Sequence, residues 1–349
     1  MTGVLCSLLS GKQNIASIQR YVKNKHKILC EATGLKASSA ISDSQLRRIL
    51  CRMDWVLFND FMEKYFTISV TEVADNEWIA VDGKELRGSI ATSKDGKKDK
   101  RGTTLLDAVS HDGEIVVAQT FFEGKKDSER TAVNTLIEEK LIGYKLTLDA
   151  LHSIPKTLCQ IEGGGGQYLV QVKSNQLELY TDLAKMTTYL PIVYQKETLD
   201  KGHGRVDERF YTCYDIHAEY FDERWKDAKI QTLIVVRRKS TDNKTKIVRE
   251  EISYYIGNQR IKKENEKLSK SLCVAVTKHW VVENHHQIRD VTLKEDYVKT
   301  PKGNTTKILA VMRSWVINMY RRCKTANFAH AIQATNDNHF EIFKLFIIN

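Results

Sequence analysis

Between Glu77 and Gln176 the apolar pattern switches repeatedly between strand-length runs and helical spacing, in the order β-β-β-α-β-α-β. That order restricts the chain more than any other feature. "EWIAVDGKELRGS" opens with a short buried strand, and "TTLLDAVSH" and "EIVVAQTFFEG" continue as β-rich runs. "SERTAVNTLIEEKL" has helical spacing and "YKLTLDAL" is a strand ending at Asp149. "SIPKTLCQIEGGGG" is a helix stopped by glycines, and "QYLVQVKSNQ" is the closing strand. Three strands followed by alternating helix and strand predict a mixed sheet with helices on its faces.

The flanks of this block read differently. Residues 1–70 are helical in texture: Ser42 or Asp43 can cap a helix on which Leu46, Ile49, Leu50 and Met53 form an apolar stripe, with Arg47, Arg48 and Arg52 projecting elsewhere. A helix reading DNA through Arg47 and Arg48 and an amphipathic core helix with solvated arginines both fit. Between about 180 and 257, "VDERFYTCYDI", "IQTLIVVRRKS" and "KIVREEISYYIG" predict a β-rich insertion. "KKENEKLSKSLCVAVTKHWVVENHHQI" predicts one long helix and "NTTKILAVMRSWVINMYRRC" a second, with a packed terminal helix in "HFEIFKLFIIN". The expected domains are therefore a helical accessory region over 1–70 and an α/β domain over 71–349.

Charge narrows the partners. The 349 residues carry 54 Lys and Arg against 44 Asp and Glu, and residues 1–60 hold nine basic side chains against four acidic ones. Such an excess fits a polyanion such as DNA or RNA, whose counterions are released on binding, although a merely basic surface gives the same tally. No run approaches the ~18 apolar residues of a membrane span, and the apolar stretch near the N-terminus has no basic residue ahead of it. Seven cysteines stand singly with no Cys-x-x-Cys pair, which excludes a zinc knuckle or disulfide framework and fits a reducing cytoplasm. "GGGG" lacks a following Gly-Lys-Ser/Thr, so no phosphate-binding Walker loop is encoded.

Three acids stand out by position. Asp82 follows the first strand, Asp149 the fourth, and Glu283 lies in "KHWVVENHHQIRDV". Each has an ordinary reading: Asp82-Gly83 as a turn, Asp149 as a helix cap, Glu283 as a surface ion pair. In a ribonuclease H-like sheet, however, the first and fourth strands are neighbours, so acids at their ends meet on one edge and a Glu from a later helix can close the group. Carboxylates from separate elements are hard oxygen donors suited to Mg²⁺ or Mn²⁺, in a site able to hold two ions. His279, Glu283 and His286 leave a zinc alternative open, without a His-Glu-x-x-His motif, and Cys159 near His152 a nucleophile alternative.

Taken in order, "AVDGKELRGS", "LTLDALHS", "YLVQVKSNQ", "HGRVDER", "YYIGN", "HWVVENHH" followed by "RDVTLKED", and "NTTKILAVMRSWVINMYRR" resemble the insertion-sequence transposases of the DDE superfamily, specifically the ISAs-type group that includes the H-repeat-associated proteins. The resemblance spans most of the chain. It implies a ribonuclease H-like catalytic domain over 71–349, interrupted by the β-rich insertion, and an accessory region over 1–70 that begins inside its family counterpart. It also implies that Asp82, Asp149 and Glu283 are the catalytic and metal-binding acids, holding two Mg²⁺ or Mn²⁺ ions. Lys84, Arg87, Lys173, Asn175 and Gln176 match positions expected to touch DNA, and Arg87 and Lys173 equally suit neutralisation of nearby acids. His203, Gly204 and Arg205 match a His-Gly-Arg element that reads as a tight turn or a DNA contact. His279 stands where an Arg is common, and Trp280 reads as core packing. The implied activity is phosphodiester hydrolysis and transesterification at the ends of an insertion sequence, in the cytoplasm, by two copies on double-stranded DNA. An inactive DNA-binding remnant and a host nuclease of the same fold remain the alternatives.

Overall fold

The computed structural model describes residues 1–90, 101–123, 126–202, 204–300, 303–338 and 340–347. Five helices lead the chain: α1 (Thr2–Leu9), α2 (Ile15–Asn24), α3 (His26–Thr33), α4 (Asp43–Arg52) and α5 (Trp55–Phe66). Strands β1 (Trp78–Glu85), β2 (Thr103–Ser110) and β3 (Val116–Glu123) precede α6 (Lys126–Leu136), β4 (Lys145–Leu148), α7 (Pro155–Gly163), β5 (Gln167–Val172) and α8 (Leu177–Met186). Four long strands follow, β6 (Ile192–Gly202), β7 (Arg205–Asp215), β8 (Thr232–Asp242) and β9 (Val248–Gly257). Helices α9 (Glu266–Lys278), α10 (Trp280–Gln287), α11 (Thr305–Arg322), α12 (Phe328–Asp337) and α13 (Phe340–Ile347) close the chain. The class is mixed α/β, with parallel and antiparallel strand pairs, and the strand-helix order from β1 to β5 is the expected one. No helix among the described residues is long and apolar enough to cross a membrane.

The chain divides into two compact units, one of Met1–Ala74, Gly83–Glu129 and Val281–Asn349, the other of Asp75–Asp82 and Arg130–Trp280. The first unit is built around α11, buried from Thr305 to Tyr320 except at Lys307. Leu8, Leu9, Ile18, Leu50, Phe66, Leu309 and Val316 belong to its core, and each such side chain contributes ~1.5–3 kcal/mol through the apolar surface it removes from water. Ser42, not Asp43, caps α4, in a capping box with Gln45. Leu46 and Leu50 are buried while Ile49 is exposed, so the apolar stripe is narrower than its spacing suggested. In the same unit β2 and β3 pair antiparallel with a bulge at Ala108/Val109. Asn318 of α11 serves Val116 like a missing strand, its Oδ1 accepting from the Val116 N–H at 2.8 Å and its Nδ2 donating to the Val116 carbonyl at 2.9 Å.

In the second unit β4 lies between β1 and β5, all three parallel, and β5 passes to an antiparallel run β9, β8, β7, β6. The expected β-rich segments are strands β7 to β9, and β6 joins them unforeseen because beyond Ile192-Val193-Tyr194 its sequence is polar and mostly exposed. Helix α9 packs Leu272, Cys273 and Val276 on Tyr211, Cys213, Ile234 and Val236 of this sheet. Gly164 to Gly166 end α7 as the glycines predicted, with Gly165 at φ +76° and a Cβ at Gly166 coming within 2.8 Å of the Tyr144 carbonyl oxygen. The long helix expected across the Glu283 region is interrupted: α9 ends at Lys278, α10 begins at Trp280, and a π-helical turn follows at Ile288–Thr292. All seven cysteines are free thiols.

Candidate active site

In the second unit the register of β1 on β4 runs from Trp78↔Lys145 to Val81↔Leu148, and Asp82 and Asp149 are the next residues of the two strands. Parallel pairing points both strands the same way, so the two acids leave the last rung at the same end of neighbouring strands. Asp82-Gly83 is no turn; β1 continues through them to Glu85. A Cβ at Gly83 would stand 2.8 Å from Oε1 of Glu129 on α6, a contact that the Glu129 side chain can relieve by moving. Glu129 is thus a carboxylate beside the Asp82-Gly83 step that the sequence reading did not single out. Asp149 does cap a helical turn: its Oδ1 accepts from the Leu151 N–H at 2.9 Å.

Two imidazoles flank Asp149. The buried His152 has Nε2 at 3.7 Å from Asp149 Oδ1, and His279 Nδ1 is 2.9 Å from the Thr147 hydroxyl. Burial lowers the His152 pKa, against the Asp149 charge and with help from Arg130. Burial likewise brings His279 to about 4, opposed by Asp149 and reinforced by His152. Both rings are therefore neutral at pH 7 and offer hydrogen bonds without positive charge. Asn175 donates to the Ala150 carbonyl at 2.8 Å, tying the turn after β5 to the Asp149 turn. Lys173 and Asn175 are exposed and Gln176 is half-buried.

Glu283 belongs to the first unit, exposed in the first turn of α10, where Val281, Val282 and His285 face inward. Trp280, expected in the core, is 53% exposed. In this unit the end of β1 and the segment that follows it are clamped to the stretch after α10. The buried Lys84 ammonium pairs with Asp290 at 2.6 Å and Asp296 at 3.4 Å, and the Arg87 N–H donates to Asp296 at 3.1 Å. The Lys84 charge is thus engaged by two carboxylates, while the Arg87 side chain is exposed. Arg47 and Arg48 are exposed on α4, with Arg47 bound to Asp43 at 2.6 Å. His203 lies outside the described residues; Gly204 has φ +75° and its carbonyl accepts from Asn243, while Arg205 pairs with Asp207 at 3.0 Å, so these two positions form a turn and its flank.

Beneath α10 lies a buried charge set with no warning in the sequence beyond Asp107 interrupting an apolar run. His286 Nε2 is 3.3 Å and His285 Nε2 3.8 Å from Asp107 Oδ2. Burial pushes the Asp107 pKa up, but His286, Arg289 and His285 outweigh it and hold the carboxyl below its ordinary value. Burial carries His285 down to about 3. One turn on, Arg289 donates to both Glu295 oxygens, at 2.8 and 2.9 Å, and Arg313 reaches Glu295 at 3.2 Å.

Among the described residues no group of three or more His, Cys, Asp or Glu side chains is gathered as a metal-holding cluster. What the second unit supplies is a pair of hard oxygen donors, Asp82 and Asp149, a donor type that fits Mg²⁺ or Mn²⁺ and not a soft metal. Fold and strand ends together define a mixed α/β protein with paired carboxylates on adjacent parallel strands. Comparison with known proteins then gives relatives. A protein of Escherichia coli O157:H7 named "Putative transposase YncI" is 27% identical over 293 residues, 81% of this chain and 71% of the relative. A protein of that name from Escherichia coli K12 is 26% identical over 182 residues, 51% and 71% of the two chains. "Uncharacterized protein in dhlA 3'region" of Xanthobacter autotrophicus is 25% identical over 209 residues, 59% and 68%. No protein-family model matches the chain.

Proposed function

We propose that this protein is a DNA transposase of the DDE superfamily, cleaving and joining DNA strands at the ends of an insertion sequence. The observation that carries the reading is the placement of Asp82 and Asp149 immediately beyond the last paired rung of neighbouring parallel strands. The arrangement supports a ribonuclease H-like fold, and the relatives named as transposases support DNA as the partner. In this reading Asp82 and Asp149 are metal ligands, and the resemblance adds Glu283 as the third. Two Mg²⁺ or Mn²⁺ ions held by these acids would supply activation of the attacking hydroxyl and neutralisation of the leaving oxygen.

The chain's own groups do the rest. Asp149 is oriented by the Leu151 N–H, and the neutral His152 and His279 leave its negative charge available to a cation. Arg87, Lys173 and Asn175 present exposed donors for phosphate oxygens, and Asn175 does so from a turn fixed to Ala150. Lys84 positions the segment that carries Arg87 through Asp290 and Asp296. In unit 1, Asp107 and the Arg289–Glu295–Arg313 group lie on the inner side of α10 and the turn after it, and Glu283 is exposed on the opposite side of the helix.

The test incubates purified protein with labelled DNA carrying the inverted repeats that bound its own reading frame, in Mg²⁺, beside Asp82→Asn and Glu283→Gln. Each variant is expected to lose at least about 100-fold in cleavage, because several kcal/mol of transition-state stabilisation goes with the metal. Cutting undiminished in both variants refutes the assignment. End binding without cleavage by the unmodified protein identifies an inactive remnant, and cleavage indifferent to the end sequence identifies a host nuclease.

A further inference from the structure

The second unit holds two thiols in contact that the proposed reaction does not use. Cys213 lies on β7 and Cys273 on α9, 0% and 1% exposed, with their Sγ atoms 3.6 Å apart. Tyr211, Ile234, Val236, Leu272 and Val276 pack around them and hold helix and sheet face to face. The 2.7 Å hydrogen bond between the Tyr211 and Thr277 hydroxyls fixes the same helix on the same strand. The two sulfurs stand about 1.5 Å beyond a disulfide bond length, a gap that side-chain rotation with a small approach of α9 closes. They also lie one side chain from solvent. Strand β6 ends the antiparallel run, its Tyr194 is the register partner of Cys213, and Tyr194 and Lys196 are half-buried on that same sheet face.

We propose that Cys213 and Cys273 are a redox-active pair that closes to a disulfide when the protein meets hydrogen peroxide and reopens with a thiol reductant. Cys273 is the attacking sulfur. The Cys213 thiol donating to it lowers its pKa, burial opposes this, and the Lys196 charge adds to the lowering. Its thiolate attacks one peroxide oxygen and the O–O bond breaks. The sulfur becomes a sulfenic acid, and the hydroxide released takes up the thiol's proton as water. The Cys213 sulfur then attacks the oxidised sulfur, the S–O bond breaks, and the hydroxide leaves with the Cys213 proton as a second water. Reopening is exchange with a small thiol, which is itself oxidised to its disulfide. In a reducing compartment the pair rests as thiols and the bond is transient. When formed, it ties β7 to the helix capped by His279, the imidazole 2.9 Å from the Thr147 hydroxyl. The inference stands on the packing of the thiols and does not depend on the transposase reading.

The test treats the full chain, freed of reductant, with hydrogen peroxide under native conditions, then alkylates it with iodoacetamide in urea and maps its peptides by mass spectrometry. The expected product is a peptide pair joined through Cys213 and Cys273, absent before treatment and removed by dithiothreitol. The bond closes a loop of 60 residues and disfavours the unfolded chain by up to roughly 1000-fold, so the treated protein should show a higher urea midpoint that dithiothreitol returns to its starting value. Cys213→Ser and Cys273→Ser should each abolish both the cross-link and the rise. In Cys213→Ser the remaining Cys273 should go on to the sulfinic acid, because no neighbouring thiol captures its sulfenic acid. The peptide map of the unaltered chain gives the answer even where a serine variant fails to fold. Both thiols alkylated after peroxide treatment would overturn the inference. So would Cys273 oxidised in the unaltered chain without the cross-link, or either thiol joined to a different cysteine. No arm reads cleavage, so failure here leaves the catalytic proposal standing, and the converse holds.

Discussion

Replacing Glu295 by Gln removes one charge from a place where two others depend on it. Arg289 is 0% and Arg313 3% exposed, and both guanidinium groups turn to the same carboxylate. Gln keeps the size and one acceptor oxygen but leaves two buried cations facing each other with no counter-ion among their direct partners. Breaking a buried pair in this way costs about 3–5 kcal/mol, because the uncompensated charge stays out of water. Against a total stability of ~5–15 kcal/mol, the variant should fold in most of that range yet populate the unfolded state roughly 150- to 5000-fold more. Urea titration followed by tryptophan fluorescence measures this as a lower midpoint at unchanged slope.

The pH dependence has a definite sign. Burial raises the Glu295 pKa, and Arg289 and Arg313 more than reverse that, bringing it to about 2 from 4.5. A depressed carboxyl contributes stability that is complete above pH 4.5 and is lost as pH falls toward 2, so the variant should lack this part of the acid limb. Adding Arg313→Met to Glu295→Gln should recover part of the loss, since it removes one of the stranded cations. A loss under about 1 kcal/mol, or no recovery in the double variant, would refute the account of a charge-balanced trio.

Gly88→Ala should cost about 1–3 kcal/mol, read as a lower melting temperature, because a Cβ there falls 2.3 Å from the Val298 carbonyl oxygen; an unchanged melt would mean that the clamp between these segments is loose. Asn318→Ala strands the Val116 N–H and carbonyl inside the first unit and should cost about 1–3 kcal/mol, with faster hydrogen exchange at Val116 as the specific readout. Asp107→Asn removes the carboxylate that His286, Arg289 and His285 hold below its ordinary pKa of 3.8, so the variant should be less stable at pH 7 and lose less stability on acidification below 3.8. Urea midpoints at pH 7 and pH 3 check the sign, and a variant with an unaltered acid limb would show that Asp107 does not titrate against these partners.

How much of this was legible in the sequence depended on the range of the interactions involved. The order from β1 to β5 was readable because strand and helix periods are local, and the acids after "IAV" and "KLTL" stood at the ends of apolar runs. At Asp82-Gly83 the sequence leaves a turn open as the ordinary alternative, and only pairing shows β1 carrying on through it. Lys84 reads as a phosphate contact because its carboxylate partners are remote in sequence, Asp296 lying 212 residues later. Trp280 reads as core by residue type, whereas the helix phase around Val281, Val282 and His285 turns it outward. Strand β6 is invisible because beyond Ile192-Val193-Tyr194 its sequence is polar and mostly exposed.

The charges buried in the first unit cannot be explained by stability alone. Ion pairs replaced by well-packed apolar residues usually leave a protein as stable or more so, and the core around α11 shows that this chain builds apolar packing readily. What Asp107, Arg289, Glu295 and Arg313 supply instead is direction. A guanidinium bound by two oxygens of one carboxylate tolerates little rotation, whereas aliphatic contacts tolerate slippage. These groups all bear on the inner side of α10 and the turn that follows it, the one stretch of the first unit that carries both an exposed candidate acid and the carboxylates gripping Lys84. A helix whose only duty was to cover a core would not need its orientation fixed by charge, and that asymmetry is the physical reason to look for chemistry on its outer face.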